Sequence, residues 1–118
     1  MEINNKKLIK IIDKDTIQNR VREIATELSN SFENKKPIFI GVLNGSFIFI
    51  SDLVRNLSIN CEVDFIKVSS YKGKNSMGTI KLLKDISADI TNRHIVIVED
   101  IIDSGLTIEF LVKRLNGA

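Results

Sequence analysis

Ile95-Val96-Ile97-Val98-Glu99-Asp100-Ile101-Ile102-Asp103-Ser104-Gly105-Leu106-Thr107 is the stretch that decides the fold of this chain. Its four leading residues form an apolar, β-branched run short enough for a buried strand. Beyond the turn, Ile108, Leu111, Val112 and Leu115 recur at i, i+3, i+4 and i+7, the spacing of an amphipathic helix. The segment between them is therefore a strand-to-helix turn, and it carries Glu99, Asp100 and Asp103, the hydroxyls of Ser104 and Thr107, and Gly105.

In an open α/β sheet the ligand crevice lies beyond the carboxyl ends of the strands, where a helix that starts there presents unsatisfied N–H groups. Gly105 lets backbone approach an anion without a Cβ in the way, Ser104 and Thr107 add donors, and the helix N-terminus adds partial positive charge. A monoester phosphate suits these donors. Glu99 and Asp100 are adjacent acids at the end of a buried strand, where two uncompensated charges repel and lose hydration. A pair of ribose hydroxyls, or a hydrated Mg²⁺ that accepts few carboxylates plus phosphate oxygens, would satisfy them. A ribose phosphate with Mg²⁺ meets all of these needs at once.

Glu99-Asp100-Ile101-Ile102-Asp103-Ser104-Gly105-Leu106-Thr107 closely resembles the phosphoribosyl-pyrophosphate (PRPP) motif of the type I phosphoribosyltransferases, in the Glu-Asp-apolar-apolar-Asp-Ser/Thr-Gly-x-Thr form of the hypoxanthine branch. The resemblance implies that Glu99 and Asp100 hold the ribose hydroxyls and the metal, Mg²⁺. It implies that Asp103, Ser104, Gly105, Leu106 and Thr107 cradle the 5′-phosphate, and that Asp103 is the general base taking a proton from the purine ring. The substrates would be PRPP and hypoxanthine or guanine, the products IMP or GMP and pyrophosphate, and the protein a homo-oligomer, dimer or tetramer. An acidic helix cap after a strand is the plain alternative for the same residues. A phospho-acceptor receiver domain would place such an acid pair near its start, and no P-loop signature occurs.

Two upstream segments extend the resemblance. Pro37 precedes an apolar strand, Ile38-Phe39-Ile40-Gly41-Val42-Leu43, broken at Asn44-Gly45-Ser46 before Phe47, Ile50, Leu53, Val54 and Leu57 take up helical spacing. This second strand, turn, helix unit resembles the family's pyrophosphate loop, with Leu43, Asn44 and Gly45 contacting the leaving group through backbone amides. Relatives commonly carry a Lys and a second Gly where this chain has Asn44 and Ser46, and the resemblance implies a cis Leu43–Asn44 peptide. Val63 to Ser69 forms the next strand, and the polar, Gly- and Lys-containing stretch from Ser70 to Gly78 predicts a mobile loop. Ser70-Tyr71 resembles the start of the family's flexible lid, which would exclude water from an oxocarbenium-like centre. A solvated hairpin loop is the plain reading of the same stretch.

The expected architecture is α/β: an open, mainly parallel sheet flanked by helices, one domain over residues 1–118 that lacks the last strands of the type I core. Relatives continue beyond this length, and the family's Lys that reads the exocyclic oxygen, its base-stacking aromatic and a further metal-linked Asp have no counterpart here. Two alternatives follow, a PRPP-binding or regulatory remnant without catalysis and a phosphoribosyltransferase for another base. The uncovered sheet edge and last helix would then call for an oligomer contact or leave the fold marginal.

Composition is that of an ordinary globular protein, with 43% hydrophobic and 27% charged residues. A net charge of +2 without a basic, aromatic-interleaved stripe gives no support for nucleic-acid binding. No apolar run is long enough for a membrane span, and the start of the chain lacks a secretory pattern, so the expectation is cytoplasmic. Cys61, the sole cysteine, reads as a small buried side chain, and His94 as a structural residue at a strand edge. Asp15 and Gln18 resemble a capping box for a helix whose Ile17, Val21, Ile24 and Leu28 share one face. Leu8 to Asp13 reads as a short strand ahead of it.

Overall fold

The computed structural model describes residues 2–3, 6–7, 12–72, 78–99 and 106–117, with the side chains of 12–69, 81–99 and 108–117. In chain order the elements are β1 (Glu2–Ile3), β2 (Lys6–Lys7), α1 (Lys14–Ser31), β3 (Ile38–Leu43), α2 (Phe47–Arg55), β4 (Glu62–Lys72), β5 (Gly78–Lys84), β6 (Ile95–Val98) and α3 (Leu106–Asn116). β1 and β2 pair as a small antiparallel ribbon, and the other strands form one sheet in the order β5-β4-β3-β6. β3 runs parallel to both β4 and β6, and only β4–β5 is antiparallel. The sheet is thus open and mainly parallel, as expected.

Successive side chains of a strand point to opposite faces, and β3 uses both. Ile38, Ile40 and Val42 pack with Ile66, Ile90, Leu111 and Leu115 on the α3 side. Phe39 packs with Val21, Ala25, Ile50, Leu53 and Val98 on the side covered by α1 and α2. This explains the unbroken apolar run of β3, since a strand covered on both faces has no polar side to alternate with. Gly41 is required by the closeness of its neighbours: a Cβ there would stand 3.0 Å from the Phe65 ring and 3.1 Å from Ile50 Cδ1.

Between β5 and β6 the chain must pass from one edge of the sheet to the far side of β3, and it does so without a helix over 85–94. Ile86, Ala88 and Ile90 supply its apolar anchorage. Its polar anchor is Asp64, whose carboxylate accepts from the backbone N–H of Ser87 at 2.7 Å, Ala88 at 2.8 Å and Phe65 at 2.8 Å. Burial pulls the Asp64 carboxyl upward and is the largest single influence. The donors from Ala88, Phe65 and Ser87, with the Lys84 charge, outweigh it and hold the group below its ordinary value. At the amino end of the sheet, Arg93 bridges Glu62 at 3.1 Å and the Lys36 carbonyl at 2.7 Å, while the His94 carbonyl accepts from Ile38. His94 also meets Phe32 edge to face, in keeping with its expected structural role.

Several local expectations are corrected. The cap of α1 is Asp13, whose Oδ1 accepts from Thr16 N at 2.8 Å, because Asp13 holds the extended backbone of a cap and Asp15 already lies in the first turn. Asp13 therefore belongs to no strand, and Leu8 to Ile11 lie outside the described residues. On α1 the buried stripe is Val21, Ala25 and Ser29, leaving Ile17 52% exposed. The two ends of the loop expected from Ser70 to Gly78 are strand, since β4 runs on to Lys72 and β5 begins at Gly78, and 73–77 lie outside the described residues. Cys61 is only partly buried, although that burial raises its thiol above the usual range. Among the described residues β6 pairs only with β3, but the expectation of an uncovered last helix is corrected, since Leu111 and Leu115 of α3 are buried in the core while Val112 is 43% exposed. No helix among the described residues is long and apolar enough to cross a membrane.

Two outcomes follow. Gly41→Val should destabilise the fold by about 1–3 kcal/mol through overpacking against Phe65 and Ile50, read as a lowered denaturation midpoint with unchanged slope. Because folding lowers the Asp64 pKa, its contribution is present above the unfolded carboxylate value of about 4 and is lost as pH falls through the folded one. Asp64→Asn should therefore lower stability at neutral pH and flatten its decline on acidification; an unchanged acid limb would exclude this assignment.

Candidate active site

β3 and β6 are adjacent and parallel, with Gly41 opposite Val98, so the residues that follow each strand leave the sheet at the same end. At β3 the exit is the turn Leu43-Asn44-Gly45-Ser46, and the Leu43–Asn44 peptide is cis, as the resemblance implied. Asn44 and Gly45 are exposed, whereas Ser46 is wholly buried. Its hydroxyl donates to the Val42 carbonyl at 2.6 Å, its N–H reaches the same carbonyl at 3.3 Å, and Phe47 N–H donates to the Asn44 carbonyl at 3.3 Å. Ser46 thus turns inward and closes the turn, leaving Asn44 and Gly45 at the surface. α2 starts immediately afterwards, so its N-terminal dipole opens at the same end of the sheet.

At β6 the exit begins with Glu99, half-buried and one residue past the strand. Asp100, Asp103, Ser104 and Gly105 lie outside the described residues, and Leu106 and Thr107 form the first turn of α3. α3 is seated by Leu111 and Leu115, 0% and 9% exposed, and by an ion pair from Arg114 to Asp85 just after β5. The Arg114 guanidinium, then the Ile86 N–H, hold the Asp85 carboxyl below its ordinary value against a small opposing effect of burial.

The third component is the β4–β5 hairpin. β3 ends opposite Lys67, so the five residues of β4 from Val68 to Lys72 extend past it by about 16 Å at strand spacing, beyond the carboxyl end of the sheet. Ser70 and Tyr71 sit on this projecting arm, paired with Ile80 and Thr79. The Asn44–Ser46 turn and the exit of β6 at Glu99 therefore share one sheet end, with an arm reaching past it. The exposed Asn44–Gly45 backbone at the start of α2 can hold an anion on its donors, with the Glu99 carboxylate at the exit of the neighbouring strand.

The sequence reading missed two supporting residues. Asp64 interrupts an apolar strand, and a charge in such a strand signals a dedicated set of donors. Ser46, taken for a departure from the family's glycine, has a structural task of its own.

Comparison with known proteins agrees with this geometry. Residues 10–118 match the model of the phosphoribosyl transferase domain family. The hypoxanthine-guanine-xanthine phosphoribosyltransferase of Tritrichomonas foetus is 43% identical over 106 residues, covering 90% of this chain and 58% of that protein. The hypoxanthine-guanine phosphoribosyltransferase of Aquifex aeolicus is 44% identical over 110 residues, covering 92% of this chain and 62% of its own length. A crystal structure of a Bacillus anthracis hypoxanthine-guanine phosphoribosyltransferase superposes with a TM-score of 0.86 at 39% identity, covering 94% of this chain and 66% of that one. The chain thus spans about three fifths of the curated relatives. Its sheet and a family match over residues 10–118 agree, and the chain belongs to the phosphoribosyl transferase domain family.

Proposed function

We propose that these 118 residues supply the PRPP- and Mg²⁺-binding part of a purine-salvage phosphoribosyltransferase that converts hypoxanthine or guanine and PRPP to IMP or GMP and pyrophosphate. The observation that carries this reading is the meeting, at one end of the sheet, of the Leu43–Gly45 turn and the exit of β6 at Glu99. The names of the relatives support the substrates. The protein works in the cytoplasm as a homo-oligomer on this reading.

Each residue then has a task. The backbone of Leu43, Asn44 and Gly45 receives the pyrophosphate, and that of Asp103 to Thr107, with the Ser104 and Thr107 hydroxyls, receives the 5′-phosphate. Glu99 and Asp100 accept hydrogen bonds from the ribose hydroxyls. As hard oxygen donors few in number they also suit Mg²⁺, which takes one or two carboxylates and completes its shell with phosphate oxygens and water. Bound there, Mg²⁺ would neutralise charge on the departing pyrophosphate. Asp103 takes the proton from the ring nitrogen as that nitrogen bonds to the anomeric carbon, and the arm bearing Ser70 and Tyr71 shields the centre from water.

Calorimetry of the chain with PRPP, with and without Mg²⁺, and a nucleotide-formation assay with hypoxanthine test the proposal. Mg²⁺-dependent PRPP binding is expected, and its absence would refute the reading. Binding without nucleotide formation would favour the non-catalytic alternative. In a catalytically complete form, Asp103→Asn should lower turnover by about 10²–10⁴-fold with PRPP affinity nearly intact, and equal loss of binding would argue against a base.

A further inference from the structure

The turn that closes β3 carries no charge of its own: Leu43, Asn44, Gly45 and Ser46 offer backbone groups, an amide and a hydroxyl, and that hydroxyl already donates to the Val42 carbonyl. A cation stands beside it on the neighbouring strand. In the parallel ladder of β3 and β4, Leu43 is the register partner of Lys67, about 4.8 Å away at strand spacing. The two also share a face of the sheet. Phe65, two residues before Lys67, packs with Ile50 and Leu53 on the α2 side, and a Cβ on Gly41, two residues before Leu43, would meet Phe65 and Ile50 there. Strand alternation therefore sets Leu43 and Lys67 on that side, where α2 starts directly after the turn.

Lys67 differs from its fellows. Among the described side chains the other lysines, at 14, 35, 36, 81, 84 and 113, are exposed, and only Lys67 is half-buried. Its partner across the β5 ladder, Lys84, reaches Asp64 at 3.7 Å and the Phe65 carbonyl at 2.9 Å, whereas no carboxylate among the described residues pairs with Lys67. An ammonium drawn partly out of water is unfavourable without an anion, so this charge is left for a ligand. Exposed backbone donors at Asn44 and Gly45 beside a point cation suit a polyphosphate, the amides giving direction and the ammonium charge. We propose that Lys67 binds the pyrophosphate group of PRPP, its ammonium donating to a phosphate oxygen seated on the Asn44–Gly45 turn. This deepens the proposed function, on which it rests, by naming the side chain that receives the leaving group. As the bond from the anomeric carbon to pyrophosphate breaks, its electron pair stays on the pyrophosphate oxygen, and the ammonium attracts that growing charge more strongly than the bound substrate.

Calorimetry of the chain with PRPP, and in parallel with ribose 5-phosphate, both with Mg²⁺, tests it. Lys67→Met and Lys67→Gln, which remove the charge and keep a stem, should weaken PRPP binding about tenfold or more and leave ribose 5-phosphate unchanged, with the circular dichroism spectrum intact. Lys67→Arg should recover most of the lost affinity. Added salt should cost the native chain more PRPP affinity than it costs Lys67→Met, which has one ionic contact fewer. Unchanged PRPP affinity in both neutral variants, an equal loss for ribose 5-phosphate, or an equal loss in Lys67→Arg would overturn the role of Lys67 and leave the proposed function standing. A native chain that binds no PRPP would overturn the proposed function and this inference with it.

Discussion

Everything in the structure hangs on β3 lying between two parallel neighbours with both of its faces covered. Ile38, Phe39 and Ile40 are entirely shielded from water, and the ladders to β4 and β6 satisfy the backbone groups that such burial would otherwise leave unpaired. Parallel pairing also fixes direction: β3, β4 and β6 all end on one side, and the Asn44–Ser46 turn is delivered to that side. Burial of even one face fixes a strand's register, and β3 has both faces buried. Here a slip by one residue would exchange the α3-facing set, Ile38, Ile40 and Val42, with Phe39 and Gly41, and drive side chains into the space left by the missing Cβ of Gly41.

The opposite end of the sheet does the holding. Asp64 gathers the N–H groups of the β5–β6 connection, and Arg93 ties that connection to Glu62 and the Lys36 carbonyl. These are the features that let ten residues without a helix cross from one edge of the sheet to β6. Arg114 and Asp85 then join α3 to the root of the β4–β5 hairpin, so that helix and the arm carrying Ser70 and Tyr71 share an anchor.

Strands β3 and β6 and helices α1 and α3 were legible from periodicity, because apolar period is what two-sided burial writes into a chain. The family was legible for a different reason: Glu99 to Thr107 carries many fixed residue types at fixed offsets, and few alternative chemistries need all of them, while 100–105 lie outside the described residues. Choices between near-equal neighbours were not legible. Asp13 and Asp15 are both good caps, and only the extended backbone at Asp13 selects it. Ile17 fits the apolar stripe of α1, but α2 and the sheet meet that helix further along, at Val21 and Ala25. Polar residues from Ser70 to Lys72 look like a loop because hairpin arms beyond the core have no apolar face to display.

Electrostatics limits how such a site can bind a polyanion. With a net charge of only +2, the chain has little long-range field to attract a sugar pyrophosphate, and the motif adds the carboxylates of Glu99, Asp100 and Asp103. Those acids would repel the ligand unless the attraction were local. On the proposed reading, the N-termini of α2 and α3 would provide that attraction over about one turn of helix, where screening is weakest and direction strongest. Divalent metal accompanying the substrate would change the sign of the carboxylates' contribution, turning Glu99 and Asp100 from a repulsive pair into ligands. On the proposed reading, the acids then act as a filter: the turns accept anions in general, and the carboxylates favour those that arrive with a cation or with hydroxyls to donate.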